Sequence, residues 1–416
     1  MGKYLFFGCF VLLMVQGVLG RTPERPYVIM VSFDGFRHDY VEKYDLPHFK
    51  EFIRAGAQAE RLIPSFPSKT FPNHYTLVTG LYPGHHGLVS NRFYAPELHR
   101  TYSISNRETV CDPAFYGGTP LWQLAQQQGV PTASFFWVGS EAPILGEFPD
   151  RYLMYDASIP NASRIDTVQR WLQLPEAERP HFITLYFSLV DDAGHAYGPN
   201  SDEVRAAVRE ADTLVEQLMK MVHQTDLPIN VILTSDHGML EMETKPETYL
   251  FLPELVDVSD TTVVTVNNGT QVSFYTDDPA RRDALYQRLK TQETHFRVYR
   301  QSDFPKRWHF QNPRAGDVLL VADSGYYVVG VGQEEFGKKV EWGTHWGTHG
   351  FDPQTVQAVS GIFYAWGPQV QPGVIVPAFE NVHVYPFVAE LLGLKTPRID
   401  GRKKVLHRLY RRSARP

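Results

Sequence analysis

The sequence predicts an α/β protein with three layers, in which a mainly parallel sheet is sandwiched between helices. Strand-like and helix-like segments alternate from residue 27 onward. Residues 27–33 form one continuous apolar run, which is typical of a strand covered on both faces. Between Val204 and Val222, apolar residues follow the spacing of one face of a long helix. Such alternation indicates a parallel sheet with helices on both sides.

Local sequence signals predict the remaining strands of the main sheet and the helices between them. Apolar residues at helical spacing in 46–53 predict a helix after the first strand. Thr119-Pro120 and Gly129 are typical start and stop signals for another helix. Strands are predicted at 181–190 and 230–235, on either side of the long helix, and the chain returns to the sheet at 361–366.

The stretch from about 240 to 345 is predicted to be a smaller β-rich subdomain inserted into this fold. Its strand-like segments are 261–266, 271–276, 317–322 and 326–331, and one helix-like segment lies at 278–290. We therefore expect residues 21–416 to form a single domain with this insertion, ending in a basic, solvated tail at about 402–416.

The composition and the first twenty residues limit the cellular environment and the partners that the protein can have. The chain has 416 residues and a formal charge of −6, which gives no global field that favours a nucleic acid duplex. Lys3 and the apolar stretch that ends at Gly20 predict a secretory signal, too short to span a membrane. Because one cysteine, Cys111, follows this signal, we expect an exported protein, periplasmic or secreted, of bacterial origin.

Polar residues follow three of the predicted strands. The first strand is followed by Asp34, the strand at 181–190 by Asp191-Asp192-Ala-Gly-His195, and the strand at 230–235 by Asp236-His237. Because parallel strands present their carboxyl ends at one edge, these side chains are expected to converge there. Each Asp-Gly or His-Gly pair alone is compatible with a turn. Together, carboxylates and imidazoles favour divalent transition metals, with zinc first.

Thr70 lies on a proline-rich turn, PSFPSKTFP, directly before an apolar helix-like segment. A threonine at this position could simply cap the helix. Next to two metal ions roughly 4 Å apart, which can clamp a phosphoryl group, it could instead serve as a nucleophile. The N-terminus of a helix would in addition favour a bound phosphate.

Long motifs carry a resemblance to a known family. The chain resembles the nucleotide pyrophosphatase/phosphodiesterases of the alkaline phosphatase superfamily, in a bacterial-type form with a single catalytic domain. The matching motifs occur in the family's order: FDGFR (33–37), FPSKTFPNHYTLVTGLYPGHHG (66–87), DDAGHAYGP (191–199), TSDHGM (234–239) and GTHGFD (347–352).

The resemblance implies an alkaline phosphatase-like fold and a site for two Zn²⁺ ions. It also implies the roles of individual residues. One ion would be held by Asp34, Asp236, His237 and the Thr70 oxygen, and the other ion by Asp191, His195 and His349. Asn91 would bind a phosphate oxygen, and Phe71 and Tyr186 would sandwich a nucleobase. The neighbouring Asp192 and His345 are set aside, since the family spaces its aspartate four residues before the histidine and His349 lies in the GTHG match.

The implied reaction is hydrolysis of a phosphodiester or pyrophosphate bond in a nucleotide. Thr70 would attack the α-phosphorus, forming a nucleotidyl-threonine, and water would release a nucleoside 5′-monophosphate. Nucleoside triphosphates, dinucleotides and nucleotide sugars are all compatible substrates. The ligands must be deprotonated, so activity is expected at neutral to alkaline pH.

Three alternatives remain at this stage. A phosphomonoesterase would need a cation beside Thr70, and Lys69 is expected to point to solvent. A phosphodiesterase of choline-type lipid head groups would need a wide groove, whereas residues 95–118 are expected to close it and favour nucleotides. A metal-binding protein without turnover would usually have lost Thr70 or a ligand, and all of these positions are filled.

Overall fold

The structure is a computed structural model that describes residues 25–411. The secretory signal predicted at residues 1–20 and the end of the basic tail lie outside the described residues. Among residues 25–411, no helix combines the length and the apolar character that crossing a bilayer requires.

The helices are short, apart from one of 22 residues. In chain order they are α1 (Tyr40–Lys43), α2 (Pro47–Ala55), α3 (Thr70–Thr79), α4 (Pro83–His86), α5 (Arg107–Val110), α6 (Leu121–Gln127), α7 (Asn161–Leu172), α8 (Leu189–Tyr197), α9 (Asp202–His223), α10 (Leu252–Leu255), α11 (Pro279–Lys290), α12 (Gln333–Gly337) and α13 (Val384–Leu391).

The strands belong to one large sheet and several small ones. In chain order they are β1 (Tyr27–Phe33), β2 (Ala57–Ala59), β3 (Leu62–Ile63), β4 (Arg92–Ala95), β5 (Arg100–Ser103), β6 (Thr132–Phe135), β7 (Arg151–Leu153), β8 (Phe182–Phe187), β9 (Ile229–Thr234), β10 (Leu240–Glu243), β11 (Tyr249–Phe251), β12 (Val264–Asn267), β13 (Gln271–Tyr275), β14 (Phe296–Arg300), β15 (Val318–Ala322), β16 (Tyr327–Val329), β17 (His345–Thr348), β18 (Phe363–Trp366), β19 (Ile375–Val376) and β20 (Phe379–Glu380).

The central sheet has eight strands in the order β19-β2-β18-β9-β1-β8-β6-β7. Its strands pair in parallel, except that β18 is antiparallel to both of its neighbours. Alternate residues of β1 pack into two different apolar cores, Val28 and Met30 into one, Ile29 and Val31 into the other. Helices α3, α6 and α13 cover the first face and α2, α7 and α9 the second. The predicted three-layer fold is therefore confirmed.

The strand predicted at 181–190 is shorter in the structure. Strand β8 ends at Phe187, and α8 begins at Leu189. Val190, which the sequence pattern assigned to the strand, is buried on the first turn of this helix. Asp191 and His195 therefore lie four residues apart on a helix, where such residues share a face. An apolar run does not by itself distinguish a strand from the buried start of a helix.

The segment between β10 and β17 contains two of the small sheets. Strands β10 and β17 pair in antiparallel orientation, with Glu243 opposite His345, and so bring the two ends of this segment together. Between them lie a four-stranded antiparallel sheet, β12-β13-β15-β14, and the pair β11-β16. Strand β14 occupies a stretch for which the sequence predicted no strand. We refer to residues 244–344 as the insertion.

The described part of the basic tail is attached to the core by two leucines, while its basic side chains are exposed. Leu406 and Leu409 are 1% and 0% exposed within the core that contains α13. Lys403 forms an ion pair with Glu390 of α13, and Tyr410 bridges to Val370. The expectation of a solvated end therefore holds for the basic side chains of residues 402–411, whereas the buried leucines between them pack this segment against the core.

Helix α2 is capped by a side chain from another helix. Its N-cap residue, Leu46, has no side-chain acceptor, and Asp212 of α9 accepts hydrogen bonds from the backbone N–H groups of His48 (3.0 Å) and Phe49 (2.8 Å). Asp212 is 5% exposed, so without its carboxylate these two N–H groups would lack a partner in a buried position.

Asp212→Ala is therefore expected to lower the free energy of unfolding by about 1–3 kcal/mol. Urea denaturation followed by circular dichroism measures this change. Glu216→Ala is the control: Glu216 lies one turn further along α9, is exposed, and contacts only the His48 ring in this region, at 3.5 Å. Equal effects of the two substitutions would contradict the assigned capping role.

Candidate active site

Two carboxylates meet at the edge of the central sheet because β1 and β9 are paired neighbours. Asp34 follows β1 directly, and Asp236 lies two residues beyond the end of β9, with Ser32 paired to Thr234. The turn at Gly35, with a φ of 66°, directs its N–H toward Asp236 Oδ1 at 3.3 Å. The strand register thus places both carboxylates at one edge.

Gly35 also allows a third carboxylate to approach. A β-carbon at this position would lie 2.9 Å from the Cα of Asp191, on the facing helix α8. No larger residue fits without moving α8, and the positive φ independently favours glycine. The Asp-Gly pair, which by sequence could be an ordinary turn, is required here for the close contact between the β1 edge and α8.

The side chains of Asp34, Asp236 and His237 form a first group with ligand atoms within 4.8 Å of one another. His237 Nε2 lies 3.0 Å from Asp236 Oδ2 and 3.5 Å from Asp34 Oδ1. All three residues are buried. The Tyr186 hydroxyl donates a hydrogen bond to Asp34 Oδ2 at 2.7 Å, which leaves Oδ1 facing the group.

Asp191, His195 and His349 form a second group of the same kind. The two histidine Nε2 atoms are 3.1 Å apart, and Asp191 carboxylate oxygens lie 3.5 and 3.8 Å from them. The rings of His237 and His349 stack at 3.6 Å with an angle of 17°, so the two groups are in direct contact. The structure therefore brings together all six candidate ligands other than Thr70.

Backbone carbonyls orient the three histidines in the same way. The Nδ1 atoms of His195, His237 and His349 lie 2.7–2.8 Å from the carbonyl oxygens of Gly347, Gly238 and Ser68, respectively. Each Nδ1–H donates to its carbonyl, which directs Nε2 into the site as an available lone pair. This is the arrangement that metal-ligating histidines use.

The electrostatics are those of a site crowded with anionic groups. Burial, followed by the charges of Asp236 and Asp191, raises the pKa of Asp34 well above its usual value. Burial also raises the pKa of Asp191. Burial alone would raise the pKa of Asp236, but the His237 and His74 rings outweigh it and hold this pKa well below the usual value. Burial would lower the pKa of His237, yet the Asp236 charge raises it.

These residues fit a pair of bound cations. Asp34 Oδ1 and Asp191 Oδ1 are buried and have no hydrogen-bond partner among the described residues. Two histidine lone pairs that face each other at 3.1 Å are also unfavourable unless a proton or a cation lies between them. Mixed carboxylate and imidazole sets of three are suited to Zn²⁺ or a similar divalent metal.

Thr70 is the first residue of α3 rather than its cap. Lys69 occupies the N-cap position and makes no side-chain cap, and Thr70 Oγ1 lies 3.1 Å from His237 Nε2. The following N–H, of Phe71, donates to Asn91 Oδ1 at 2.9 Å, which fixes the amide of Asn91 beside the helix terminus. The hydroxyl of Thr70 therefore faces the first group.

Lys69 does not point to solvent as the sequence suggested. Its side chain is 7% exposed, and Nζ donates to the carbonyl of His349 at 2.8 Å. Burial lowers its pKa to about 8. The expectation was wrong because the loop that carries His349 and Gly350 folds over this side chain, a contact that joins positions 280 residues apart.

A cavity of about 240 Å³ opens from Thr70, Asp34 and Asp191. Phe71 and Tyr186 line it, together with Phe136, Trp137, Tyr155 and, from the segment 95–118, Ile104, Arg107 and Val110. We call this space the first cavity. Glu141 forms a bidentate pair with Arg107 at its wall and also accepts from the Tyr155 N–H. Away from Asp34 and Asp191, the walls of the first cavity are thus mainly aromatic, with one ion pair.

The two residues that the sequence analysis set aside are outside the groups. Asp192 is exposed on α8, next to Asp191. His345 is exposed on β17 and contacts Glu241 through Nδ1 at 3.0 Å. Adjacent residues of a helix face different directions, which separates Asp192 from Asp191. His345 is instead separated by position, since it begins β17 while His349 lies just beyond the end of this strand.

The chain matches the family described as type I phosphodiesterase / nucleotide pyrophosphatase over residues 28–352. It belongs to this family. Human ectonucleotide pyrophosphatase/phosphodiesterase family member 1 is 34% identical over 401 residues, covering 93% of this chain and 42% of the human protein. A venom phosphodiesterase of Macrovipera lebetinus is 34% identical over 404 residues, covering 93% of this chain and 46% of the venom protein. The chain thus spans less than half the length of these relatives.

Solved structures of the family share the fold. Murine ectonucleotide pyrophosphatase / phosphodiesterase 5 superposes with a TM-score of 0.84 at 28% identity, covering 92% of this chain and all of that chain. An inactive threonine-to-alanine variant of the same murine protein, in complex with AMP, gives the same TM-score and covers 93% of this chain.

For this family member, sequence reasoning missed two residues that contact the site. His74 lies behind Asp236, with Nδ1 3.3 Å from Asp236 Oδ2 and Nε2 2.9 Å from Ser32 Oγ. Its position four residues after Thr70 on α3 was a usable signal, since residues four apart share a helix face. Tyr155 lies in an irregular segment after β7, and no sequence pattern indicated that it would line the first cavity.

The pKa shifts predict how stability depends on pH. A group whose pKa is raised in the folded protein stabilises it below the unfolded value, and this stabilisation is lost as pH rises through the raised value. Asp34, Asp191 and His237 are of this kind. The contribution of Asp236, whose pKa is lowered, is already complete above the usual value of 3.8. The stabilisation that Asp34, Asp191 and His237 give to the metal-free protein should therefore be lost as pH rises above the carboxylate range, whereas His349, whose pKa burial lowers well below its usual value, acts in the opposite direction below that value.

Metal ions should oppose this loss of stability at higher pH, because they neutralise the ligand groups in place of bound protons. We expect added Zn²⁺ to raise the melting temperature above that of chelator-treated protein. This increase should be larger at about pH 8 than at about pH 5.5. Differential scanning fluorimetry measures both values. Asp191→Asn should reduce the metal-dependent increase, whereas Asp192→Asn, the exposed neighbour, should not. An equal increase at the two pH values would contradict the assignment of these groups as ligands.

Proposed function

We propose that this protein is a phosphodiesterase that hydrolyses nucleotide phosphodiester and pyrophosphate bonds and releases nucleoside 5′-monophosphates. The observation that carries the proposal is the position of Thr70. Its hydroxyl lies at the start of α3, beside the Asp34–Asp236–His237 group and at the mouth of an aromatic cavity. Family membership and the AMP complex of the murine relative support this activity.

Thr70 is proposed as the nucleophile and Asn91 as a phosphate-binding residue. Because Asn91 Oδ1 accepts from the Phe71 N–H, the Asn91 amide NH₂ is free to donate to a non-bridging phosphate oxygen next to Thr70. The N–H groups at the start of α3 add a favourable dipole for the phosphate. In the proposed reaction the Thr70 hydroxyl attacks phosphorus and expels the leaving oxygen, and water then hydrolyses the covalent nucleotidyl-threonine.

Two Zn²⁺ ions are the proposed cofactors, one held by Asp34, Asp236, His237 and the Thr70 oxygen, the other by Asp191, His195 and His349. Bound there, they would supply positive charge to the attacking and leaving oxygens and to the phosphate. The chain itself contributes orientation: the Nδ1 hydrogen bonds of the histidines fix the rings, and the Tyr186 hydroxyl holds Asp34.

The nucleobase is proposed to bind in the first cavity. Phe71 lies beside Thr70 at its wall, and Tyr155 and Tyr186 supply further aromatic surface. Tyr186 has a second role, since its hydroxyl is committed to Asp34. At about 240 Å³, and with residues of 95–118 closing one side, the first cavity fits a nucleoside better than a lipid head group with its chains.

The charged side chains near Thr70 favour a phosphodiester substrate over a phosphomonoester. Among the described residues, the Lys and Arg side chains that line the cavities next to Thr70 are Lys69 and Arg107. Lys69 donates to the carbonyl of His349, and Arg107 pairs with Glu141. The additional charge of a phosphomonoester would therefore lack a free cationic partner.

Export of the protein is also proposed, on the secretory signal at residues 1–20. The physiological substrates are proposed to be small nucleotides rather than duplex nucleic acid, in keeping with the size of the first cavity.

Thr70→Ala should abolish hydrolysis of p-nitrophenyl thymidine monophosphate, with a decrease in kcat/KM of at least about 10³-fold, because the nucleophile is lost. The bound metal, measured by elemental mass spectrometry, should remain at half the wild-type level or more. Thr70→Ser retains a hydroxyl and should keep measurable activity. An active Thr70→Ala protein would identify water as the nucleophile and contradict the covalent step.

The choice of substrate is tested with the wild-type protein. We expect p-nitrophenyl thymidine monophosphate to be hydrolysed with a kcat/KM at least about 10²-fold above that of p-nitrophenyl phosphate or p-nitrophenyl phosphorylcholine. A preference for p-nitrophenyl phosphate would favour a phosphomonoesterase, and one for p-nitrophenyl phosphorylcholine a lipid head-group phosphodiesterase.

Asn91→Asp keeps the acceptor for the Phe71 N–H but removes the amide donor. We expect kcat for p-nitrophenyl thymidine monophosphate to fall by about 10²–10³-fold, as when one donor to a developing charge is lost. Asn106→Asp is the control, since Asn106 caps α5 at an exposed position and aspartate caps equally well. An unchanged kcat for Asn91→Asp would exclude the proposed phosphate contact.

A further inference from the structure

A buried histidine, His74, connects the helix that begins at Thr70 with the first ligand group. It lies on α3 four residues after Thr70, and residues at this spacing share one face of a helix. Its side chain is 0% exposed and is not part of the lining of the first cavity. His74 therefore lies next to the reacting groups without access to a substrate.

The acceptors around the ring of His74 determine which of its nitrogens carries a hydrogen. Nδ1 lies 3.1 Å from the carbonyl oxygen of Thr70 and 3.3 Å from Asp236 Oδ2. A carbonyl and a carboxylate only accept hydrogen bonds, so the hydrogen is assigned to Nδ1, which donates to the Thr70 carbonyl. Nε2 lies 2.9 Å from Ser32 Oγ, and in a neutral ring its lone pair accepts from the Ser32 hydroxyl. Both ring nitrogens are therefore occupied.

The same N–H group faces a carboxylate oxygen that has few other partners. Asp236 Oδ1 accepts from the Gly35 N–H at 3.3 Å. Asp236 Oδ2 is buried and forms no regular hydrogen bond among residues 25–411. It lies 3.0 Å from His237 Nε2, which is itself a candidate ligand atom. The Nδ1–H of His74 thus supplies positive charge density beside this oxygen and limits the directions in which the carboxylate can turn.

Aromatic packing restrains the ring of His74 as well. The rings of Trp137 and Tyr186 meet it edge to face, with centroids 5.2 and 5.3 Å away. Trp137 Nε1 also donates to the backbone carbonyl of His74 at 3.0 Å. Because these contacts surround a fully buried side chain, the ring has little freedom to rotate and can act as a fixed reference for its neighbours.

Ser32, His74 and Asp236 follow the order of contacts in a serine hydrolase triad, but Ser32 cannot act as a nucleophile. It lies within β1, is 0% exposed and does not line the first cavity. A nucleophile must come within about 3 Å of the reacting atom of a substrate. The chain of contacts ends instead at a candidate metal ligand, and a side chain that contacts such a ligand from behind orients it.

We propose that His74 is a positioning residue, which holds the first turn of α3 and Asp236 at a fixed separation. This inference rests on the proposed function, in which Thr70 attacks phosphorus beside the cation that Asp236 binds. Because one N–H group faces both the Thr70 carbonyl and the Asp236 carboxylate, loss of the ring would change the position of the nucleophile relative to the metal ligand. No covalent bond forms or breaks at His74.

Two substitutions of His74 distinguish positioning from packing. His74→Leu fills most of the space but has no donor, whereas His74→Asn leaves a cavity and keeps an NH₂ group near the position of Nδ1. We expect His74→Leu to weaken the binding of one of the two Zn²⁺ ions by about tenfold or more, as loss of a contact behind a ligand does. His74→Asn should bind this ion at least about threefold more tightly than His74→Leu. Competition with a chromophoric zinc chelator measures both affinities.

A packing role predicts the opposite order of the two variants, because asparagine leaves the larger cavity. A decrease of less than about tenfold in the zinc affinity of His74→Leu would overturn the proposal. So would zinc binding by His74→Asn that is less than about threefold tighter than that of His74→Leu.

The position of Thr70 is tested with the same variants at saturating Zn²⁺. We expect kcat for p-nitrophenyl thymidine monophosphate to fall by about tenfold or more in His74→Leu, because the nucleophile is no longer held next to the ligand group. His74→Asn should have a higher kcat than His74→Leu. A smaller decrease in His74→Leu, or no recovery in His74→Asn, would overturn the proposal.

His86→Leu is the matched control. His86 is also a buried histidine beside α3, with Nε2 3.0 Å from Thr76 Oγ1 and Nδ1 accepting from the Leu88 N–H at 3.1 Å, and it belongs to neither ligand group. The substitution should lower the melting temperature, since both hydrogen bonds are lost, but leave the zinc affinities of the folded protein within about twofold of wild type. A loss of zinc affinity equal to that of His74→Leu would overturn the proposal.

A crystal structure of the zinc-loaded wild-type protein provides a test that needs no variant. His74 Nδ1 should lie within about 3.5 Å of both the Thr70 carbonyl oxygen and an Asp236 carboxylate oxygen. A larger separation from either group would overturn the proposal. This measurement decides the matter if the His74 variants do not fold.

Failure of this inference and failure of the proposed function give different results. Wild-type protein that hydrolyses p-nitrophenyl thymidine monophosphate, with zinc binding that His74→Leu leaves unchanged, supports the function and excludes the role of His74. Wild-type protein that binds two Zn²⁺ ions but does not hydrolyse this substrate contradicts the function. The zinc affinities of the variants then still decide whether His74 positions Asp236.

Discussion

Three carboxylates crowded at one edge of the central sheet, two of them buried and one half-buried on α8, are the constraint on which the rest of the structure depends. Asp34, Asp191 and Asp236 are held close together, and burial together with mutual repulsion makes simultaneous ionisation unfavourable. The arrangement is sterically possible because Gly35 permits the close approach of Asp191. Histidine side chains lie next to the carboxylates in both ligand groups. Such a set is stable when cations, or protons in their absence, neutralise it.

The fold divides the surroundings of this site between two parts of the chain. The main sheet and α3 supply the first ligand group, Thr70 and the first cavity. Strand β17, which closes the insertion, leads directly to His349 and also carries Trp346, which lines a cavity of about 570 Å³ together with His195 and His349. The insertion is thus connected directly to the second ligand group.

Much of the fold and the ligand set could be predicted from the sequence, for reasons that particular residues illustrate. The apolar run of β1 and the helical spacing within α9 are local properties, so they predict a strand and a helix without knowledge of the partners. Asp34, Asp236 and His237 follow β1 and β9 closely, and the geometry of parallel strands brings such positions together. His349 required the motif resemblance, since its spacing alone did not distinguish it from His345.

The sequence by itself determined the order of layers, the candidate nucleophile and the types of ligand, because these depend on short stretches and on the common edge of a parallel sheet. Only the tertiary structure decided that Asp191 and His195 are on a helix, that Lys69 is buried under the His349 loop, and that Tyr155 lines the first cavity. Each of these facts depends on contacts between distant segments, such as the pair Lys69 and His349, 280 residues apart. Local patterns carry no information about which distant residue will cover a side chain.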